Sequence, residues 1–441
     1  MASAYTEPFD LELNGDIDRA EPRARRRLPL MLIGAAALTL IFVTQVLQII
    51  PPVKDMSVAK FVVLVVALVF LQSRDAVKSR VRISSVPQLR NLLLMIVIAL
   101  LLVPVSFWPS GSLDYIVNIY ARNIIIVYLL VQAARTNRDA RVIAGSLVAG
   151  CSALVLAMLL RFGPLVTNKF EPGRVSVGGT YDVNDLALLF VITIPFAFFM
   201  LKDATLPGRV LLIAGIALML AGMVKTGSRG GFLGLMLISA LIFFRGSKQM
   251  RKYTLATMAV GVLLFLCFAP KTYWDRISTI YNYKQDYNFN MKEDNSRLMI
   301  WGTGIRIFLT YPVTGVGIAG FQHAHRKFAK TELTISPHNT FLQVATELGV
   351  LGLILFVWII FTSIRTARAA RRRARAGDID PSLFWFASAV EVSFWGFVVC
   401  ASLLTHAYSP IFCFMASMGA VLYHRYHQSI KTEEVEEIEY A

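Results

Sequence analysis

Apolar runs long enough to cross a lipid bilayer recur along this chain, and they constrain its fold more than any other feature. A hydrocarbon core of about 30 Å asks for about 17 to 25 predominantly apolar residues per helix. Runs near that length, some a little shorter, cover 28–50, 57–72, 88–107, 116–134, 142–162, 185–201, 210–226, 231–244, 253–269, 340–364, 382–404 and 410–423. No water reaches the bilayer interior, so each run must satisfy its own backbone groups, and helix is the structure that does so. Of the 441 residues, 56% are hydrophobic and only 16% charged, which excludes an ordinary soluble domain. The expectation is an all-α polytopic membrane protein with about twelve transmembrane helices.

Basic residues gather in alternate connections between the runs. They are Arg23, Arg25, Arg26 and Arg27; Arg74, Lys78, Arg80 and Arg82; Arg135, Arg138 and Arg141; Arg245, Lys248, Arg251 and Lys252; and Arg365, Arg368, Arg371, Arg372, Arg373 and Arg375. The positive-inside rule puts these connections, and both termini, in the cytoplasm. Most of the net charge of +16 resides there. Its dispersal among short membrane-flanking loops argues for lipid headgroups as partners and against nucleic acid. Cys151, Cys267, Cys400 and Cys413 all fall inside apolar runs, as small core residues rather than disulfides or metal ligands. Residues 1–27 are polar and acidic before their basic run, so they read as a cytoplasmic tail and not as a cleaved signal peptide. The expected organisation is helices 1–9 over 28–269, an insertion over 270–339, helices 10–12 over 340–424, and a cytoplasmic tail over 425–441.

The insertion faces outward by the same alternation and is the one large periplasmic segment, between helices 9 and 10. It opens with a polar aromatic stretch (Tyr273, Trp274, Tyr281, Tyr283, Tyr287, Phe289, with Asn282, Asn288 and Asn290). A helical pattern then starts at Arg297 behind Asn295 or Ser296 as cap, with Leu298, Trp301, Ile305 and Phe308 on one apolar stripe. It stops at Tyr311-Pro312, and Thr314-Gly315-Val316-Gly317 follows as a turn. Such a segment lies over the bundle as a lid or binding loop, or else is a solvated spacer.

Cations at the outer level of the helices carry the first functional signal. Ionisable groups in spans are costly and mark cavities. Lys60, Arg122, Arg161, Lys225 and Arg229 fall in or beside the outward parts of their helices, and Arg174, Arg297 and Arg306 in outward loops. Lys225 and Arg229 are four apart, as on one helical face, and so are Asn118 and Arg122, with Tyr115 three residues further back. Arginine forks suit phosphate oxygens, so this level fits the diphosphate of a membrane-held lipid. Snorkelling to headgroups is the alternative, and the better one for Lys60. Of six histidines, His338 has the setting for chemistry. In Ser336-Pro337-His338-Asn339-Thr340 the Ser cap and early Pro put His338 in the first turn of the tenth span, where the helix dipole keeps its imidazole neutral and able to take a proton from a sugar hydroxyl. A capping or hydrogen-bonded histidine is the alternative.

Three stretches together resemble the O-antigen ligase and O-antigen polymerase superfamily. They are Gly179-Thr180-Tyr181-Asp182-Val183-Asn184-Asp185-Leu186-Ala187; Gly227-Ser228-Arg229-Gly230-Gly231-Phe232; and Arg297 through Trp301 to Pro312, Gly315, Gly317 and Phe321, followed by Pro337-His338-Asn339 and Glu347-Leu348-Gly349. The resemblance implies a bacterial inner-membrane glycosyltransferase with its active site on the periplasmic face and undecaprenyl-diphosphate-linked glycan as donor. Its ligases use the lipid A core as acceptor, with His338 as base and Arg229 and Arg297 on the diphosphate. Arg122, Arg161 and Lys225 join that charge by position, and Arg174, Asp182, Asn184 and Asn339 are candidates for substrate contact or support. A single inverting displacement follows, with no cofactor and no metal. Asp16-x-Asp18 and Asp378-x-Asp380 lie on the cytoplasmic side, the first outward loop has only Asp55, and His323-x-His325 reads as a surface pair. A polymerase differs only in acceptor. A lipid-glycan transporter is the rival class, supported by Glu347 and Glu391 within spans.

Overall fold

The computed structural model describes residues 30–50, 58–72, 80–162, 165–167, 174–177, 181–245, 248–268, 274 and 296–440. The N-terminal tail, the first outward loop, Gly179, Thr180 and the aromatic stretch apart from Trp274 lie outside the described residues. What is described is mostly helical. Each apolar run falls on helix, and six helices are long and apolar enough to cross a membrane: Pro109–Ala133, Asn137–Leu159, Val183–Met200, Leu206–Thr226, Thr340–Ala376 and Leu383–Ala401.

The helices are α1 (Leu30–Leu38), α2 (Val58–Gln72), α3 (Pro87–Leu101), α4 (Pro109–Tyr115), α5 (Ala121–Ala133), α6 (Asn137–Leu159), α7 (Val183–Met200), α8 (Leu206–Thr226), α9 (Arg229–Arg245), α10 (Lys248–Phe268), α11 (Arg297–Thr310), α12 (Phe321–Ala329), α13 (Thr340–Ala376), α14 (Leu383–Ala401) and α15 (Pro410–Tyr440). α4 and α5 join through a π turn, Ile116–Tyr120, whose wider winding changes the angle between Tyr115 and Arg122. Within it, Asn118 Nδ2 donates to Asp114 Oδ1 at 2.7 Å. Between α6 and α7 two short strands, β1 (Leu165–Thr167) and β2 (Val175–Val177), pair antiparallel with Leu165 opposite Val177. Three-residue strands leave no period to read in a sequence.

α7 is the centre of the bundle. Every side chain from Leu186 to Phe199 is buried, as expected of a helix apolar all round. α6, α8, α9 and α14 surround it, and small residues let them approach. A Cβ on Gly231 would lie 2.5 Å from that of Ala187, and one on Gly234 2.6 Å from Cys400 Sγ. Between apolar helices in lipid, close packing of this kind replaces the missing hydrophobic drive.

At the arginine-rich end, Glu391 accepts from Arg245 Nη1 at 2.7 Å, Arg368 Nε at 2.9 Å and Arg371 Nε at 3.2 Å, tying α9, α13 and α14 together. Its carboxylate is 1% exposed and fully engaged, so it serves as a structural counter-ion rather than an ion-transport site. Glu391→Gln is expected to leave three guanidiniums around a neutral amide, at about 2 kcal/mol. That figure is discounted from the ~3–5 kcal/mol of a fully buried pair because the arginines reach solvent. The check is thermal unfolding in detergent, and an unchanged Tm contradicts it.

Candidate active site

At the opposite end of the bundle, α11 and α12 build a second, smaller core from Ile300, Ile307, Val316, Phe321 and Ala324, with Phe107, Trp301 and Tyr311 packed on it. Ser296 caps α11 by accepting from Met299 N. The face turned inward is not the one expected from Leu298, Trp301, Ile305 and Phe308. Ile300, Thr303, Gly304 and Ile307 are buried, and Ile305 is 52% exposed. Gly304 decides the register, because its missing side chain admits Leu342 of α13; a Cβ there would meet Leu342 Cδ2 at 2.7 Å.

The turn after α11 is built into a break in α13. Gly349, inside that helix, has φ 66° and ψ −168°. The carbonyls of Thr346 and Glu347 accept instead from Val316 N at 2.8 Å and Gly317 N at 3.0 Å, and Val350 N donates to Pro312 O at 2.8 Å. Irregular backbone at membrane depth is tolerated when protein satisfies it, as here. The Gly315-x-Gly317 and Glu347-Leu348-Gly349 pieces of the sequence are therefore one joint. Glu347 faces the Ala319 and Phe321 amides, which head α12, a setting for a helix-capping carboxylate.

His338 stands just before α13, not in its first turn. Asn339 is the cap, accepting from Leu342 N at 3.0 Å, and neither Ser336 nor Pro337 starts the helix. His338 has φ 47°, in the left-handed region that histidine enters more readily than most residues. Its N–H donates to Thr405 Oγ1 at 3.0 Å, and Trp301 Nε1 donates to the neighbouring Pro337 carbonyl at 3.1 Å. Burial pushes its imidazole below the usual histidine value, the Arg297 charge adds to this, and Asp185 opposes it. A base in that state is neutral at pH 7.

The remaining candidates divide. Asp182 caps α7 through the N–H groups of Asn184 and Asp185 in a reciprocal capping box. Asn184 Oδ1 accepts from Arg174 Nη2 at 2.9 Å, and Arg174 Nε donates to Thr226 O at 2.8 Å. Arg174 thus ties α7 to the end of α8. Lys225 and Arg229 do not share a helix: α8 ends at Thr226, Gly227 turns with φ 58°, and Arg229 opens α9. Both nonetheless flank the Thr226 turn that Arg174 binds. Arg122 stacks over Phe42 at 4.9 Å, and Arg161, exposed with φ 54°, follows α6; neither is brought against His338. His323 stacks on Trp108 with centroids 4.6 Å apart. His325 is not a surface residue, being 1% exposed beside Phe321. Two residues that the sequence reading left without a role belong to the site. Asp185 Oδ1 and His406 Nε2 are 2.8 Å apart, and both adjoin the His338 segment. The capping box gives a sequence signal for Asp185; an eight-residue turn gives none for His406.

Residues 214–357 match the O-antigen ligase family. The matched stretch contains Lys225, Arg229, Arg297, His338 and the Gly349 joint, and leaves out Asp185 and His406. An uncharacterized protein of Haemophilus influenzae is 26% identical over 238 residues, covering 50% of this chain and 56% of that protein. The chain thus spans about half the length of that relative. A helical chain with membrane-length apolar helices thus carries, over residues 214–357, a stretch that matches the O-antigen ligase family.

Proposed function

We propose that the protein transfers a glycan from undecaprenyl diphosphate to a sugar hydroxyl of the lipid A core, on the periplasmic face of the bacterial inner membrane. The observation that supports this is a half-buried His338 within the electrostatic reach of Arg297, at the bundle end remote from the arginine-rich loops. In this reading the chain spans about twelve times, with the tails at 1–27 and 425–441 cytoplasmic and 270–339 periplasmic. His338 takes the proton of the acceptor hydroxyl as its oxygen attacks the anomeric carbon. The bond from that carbon to the diphosphate breaks, and its electron pair leaves on the phosphate oxygen. Arg297, Arg229 and Lys225 offset the charge growing there, and Arg122 and Arg161 extend the same cationic surface. One displacement inverts the anomeric centre, and the residues named complete it with no metal ion.

The test supplies purified protein in liposomes with a polyprenyl-diphosphate glycan and either lipid A core or a second lipid-linked glycan. Transfer to lipid A core is expected. Chains lengthening on the carrier would instead identify a polymerase, and movement of the donor without a covalent product a transporter; either overturns the ligase reading. The pH profile is a second check. An imidazole held below its ordinary pKa of about 6.5 stays a competent base below neutrality, so log(kcat/KM) is flat from pH 7 downward and falls only below pH 6.5. An acid limb centred above pH 6.5 contradicts the assignment of His338.

A further inference from the structure

We infer that Asp185 and His406 are a positioning pair, holding the turn that fixes His338, an inference that rests on the base role proposed for His338. His406 lies in the turn between α14 and α15 and is 4% exposed. That turn grips the start of α13 throughout. Thr405 Oγ1 accepts from His338 N at 3.0 Å, Thr340 Oγ1 donates to Leu404 O at 2.7 Å, His406 N donates to Thr340 Oγ1 at 3.0 Å, and Ala407 N donates to Gln343 Oε1 at 3.1 Å. The His406 side chain reaches the other way, to Asp185 in the first turn of α7. Asp185 is itself clamped, since its Oδ2 accepts from Asp182 N at 3.1 Å. A chain of bonds thus runs from the capping box of α7, through His406 and Thr405, to the backbone of His338. A left-handed residue other than glycine persists only where its surroundings over-determine it, and this chain supplies that constraint.

Of the charged groups that act on His338, Arg297 comes from α11 and Asp185 from α7. Asp185 thus acts on His338 twice, through the bonded chain and through its field.

The test uses four full-length variants. The glutamine side chain of H406Q carries its amide nitrogen to where the imidazole Nε2 lies, and the shorter asparagine of H406N does not. H406Q should therefore retain kcat within about 3-fold while H406N loses about 10- to 100-fold, the effect of misplacing a reacting group by an ångström or less. Thr405→Val should resemble H406N. D185N should lose as much and also move the acid limb of the pH profile to lower pH, because removing an anion disfavours the imidazolium of His338. A merely structural role would lower the amount of folded protein without moving that limb. Acylation of His338 by diethyl pyrocarbonate, followed against pH by peptide mass spectrometry, reads the same shift with no substrate. If wild type transfers nothing, the functional reading fails alone and the labelling still decides the pair. Equal activity of H406N and wild type, equal loss in H406Q and H406N, or an unmoved His338 titration in D185N would each overturn the inference.

Discussion

His338→Ala is expected to lower glycan transfer by about 10²- to 10⁴-fold, the contribution of a positioned general base, while the protein stays folded. In the proposed mechanism the His338 imidazole is the neutral proton acceptor, and a sugar hydroxyl cannot attack efficiently while it keeps its proton. Conformation complicates this variant, because His338 is left-handed with φ 47° and an alanine there retains some of the backbone strain. His338→Asn and His338→Gly separate the two effects. Asparagine and glycine both accept positive φ, so they keep or ease the backbone while removing the base. All three variants should lose transfer alike, with KM for the lipid donor little changed, since the diphosphate is assigned to the arginines. Activity retained by the Gly or Asn variant would make His338 a backbone element and return the base role to another group.

How far the sequence discloses this site depends on whether the signal is local. Ser296 as a cap, the helix from Arg297 and the helical apolar runs rest on neighbours within four residues, and each can be read directly. The inward face of α11 is different. Its Ile300, Ile305, Ile307, Phe308 and Leu309 distribute apolar surface around the whole helix, and Gly304 selects the buried side only by accepting Leu342 from another helix. The partnership of Asp185 with His406 joins positions 221 residues apart, and no spacing rule reaches that far. Lys225 and Arg229 mislead for a local reason. A four-residue spacing implies one face only if the helix continues, and Gly227 ends it. The two cations lie on either side of that turn, at the end of one helix and the start of the next. The break at Gly349 is hidden in the same way, because one glycine in an apolar run reads as a slightly weakened helix.

Gly349→Ala is expected to be the most damaging single methyl in the molecule. Gly349 combines φ 66° with ψ −168°, a region open essentially to glycine alone, which costs other residues about 1–3 kcal/mol. Its added Cβ would also run into the Val313 carbonyl oxygen and approach the Pro312 oxygen at 2.9 Å. Relief requires the 312–317 turn to withdraw. Withdrawal breaks the bonds from Val316 N, Gly317 N and Val350 N and strands the Thr346 and Glu347 carbonyls about six to seven residues, or about 10 Å, along the helix from its outer end. Each unpaired group there costs about 1–3 kcal/mol, so strain and lost bonds together reach several kcal/mol, a large share of a typical domain's stability. Gly377→Ala is the matched control. Gly377 also has positive φ, 88°, at the C-terminal cap of the same helix, but a Cβ there meets nothing within 4 Å, so the cost is about 1 kcal/mol. The expected result is a Gly349→Ala protein that is poorly recovered from membranes, melts far below wild type and transfers no glycan, beside a Gly377→Ala protein close to wild type. Equal behaviour of the two would mean that α13 can run straight through position 349. The turn after α11 would then be a covering loop and not the joint that fixes the segment following His338.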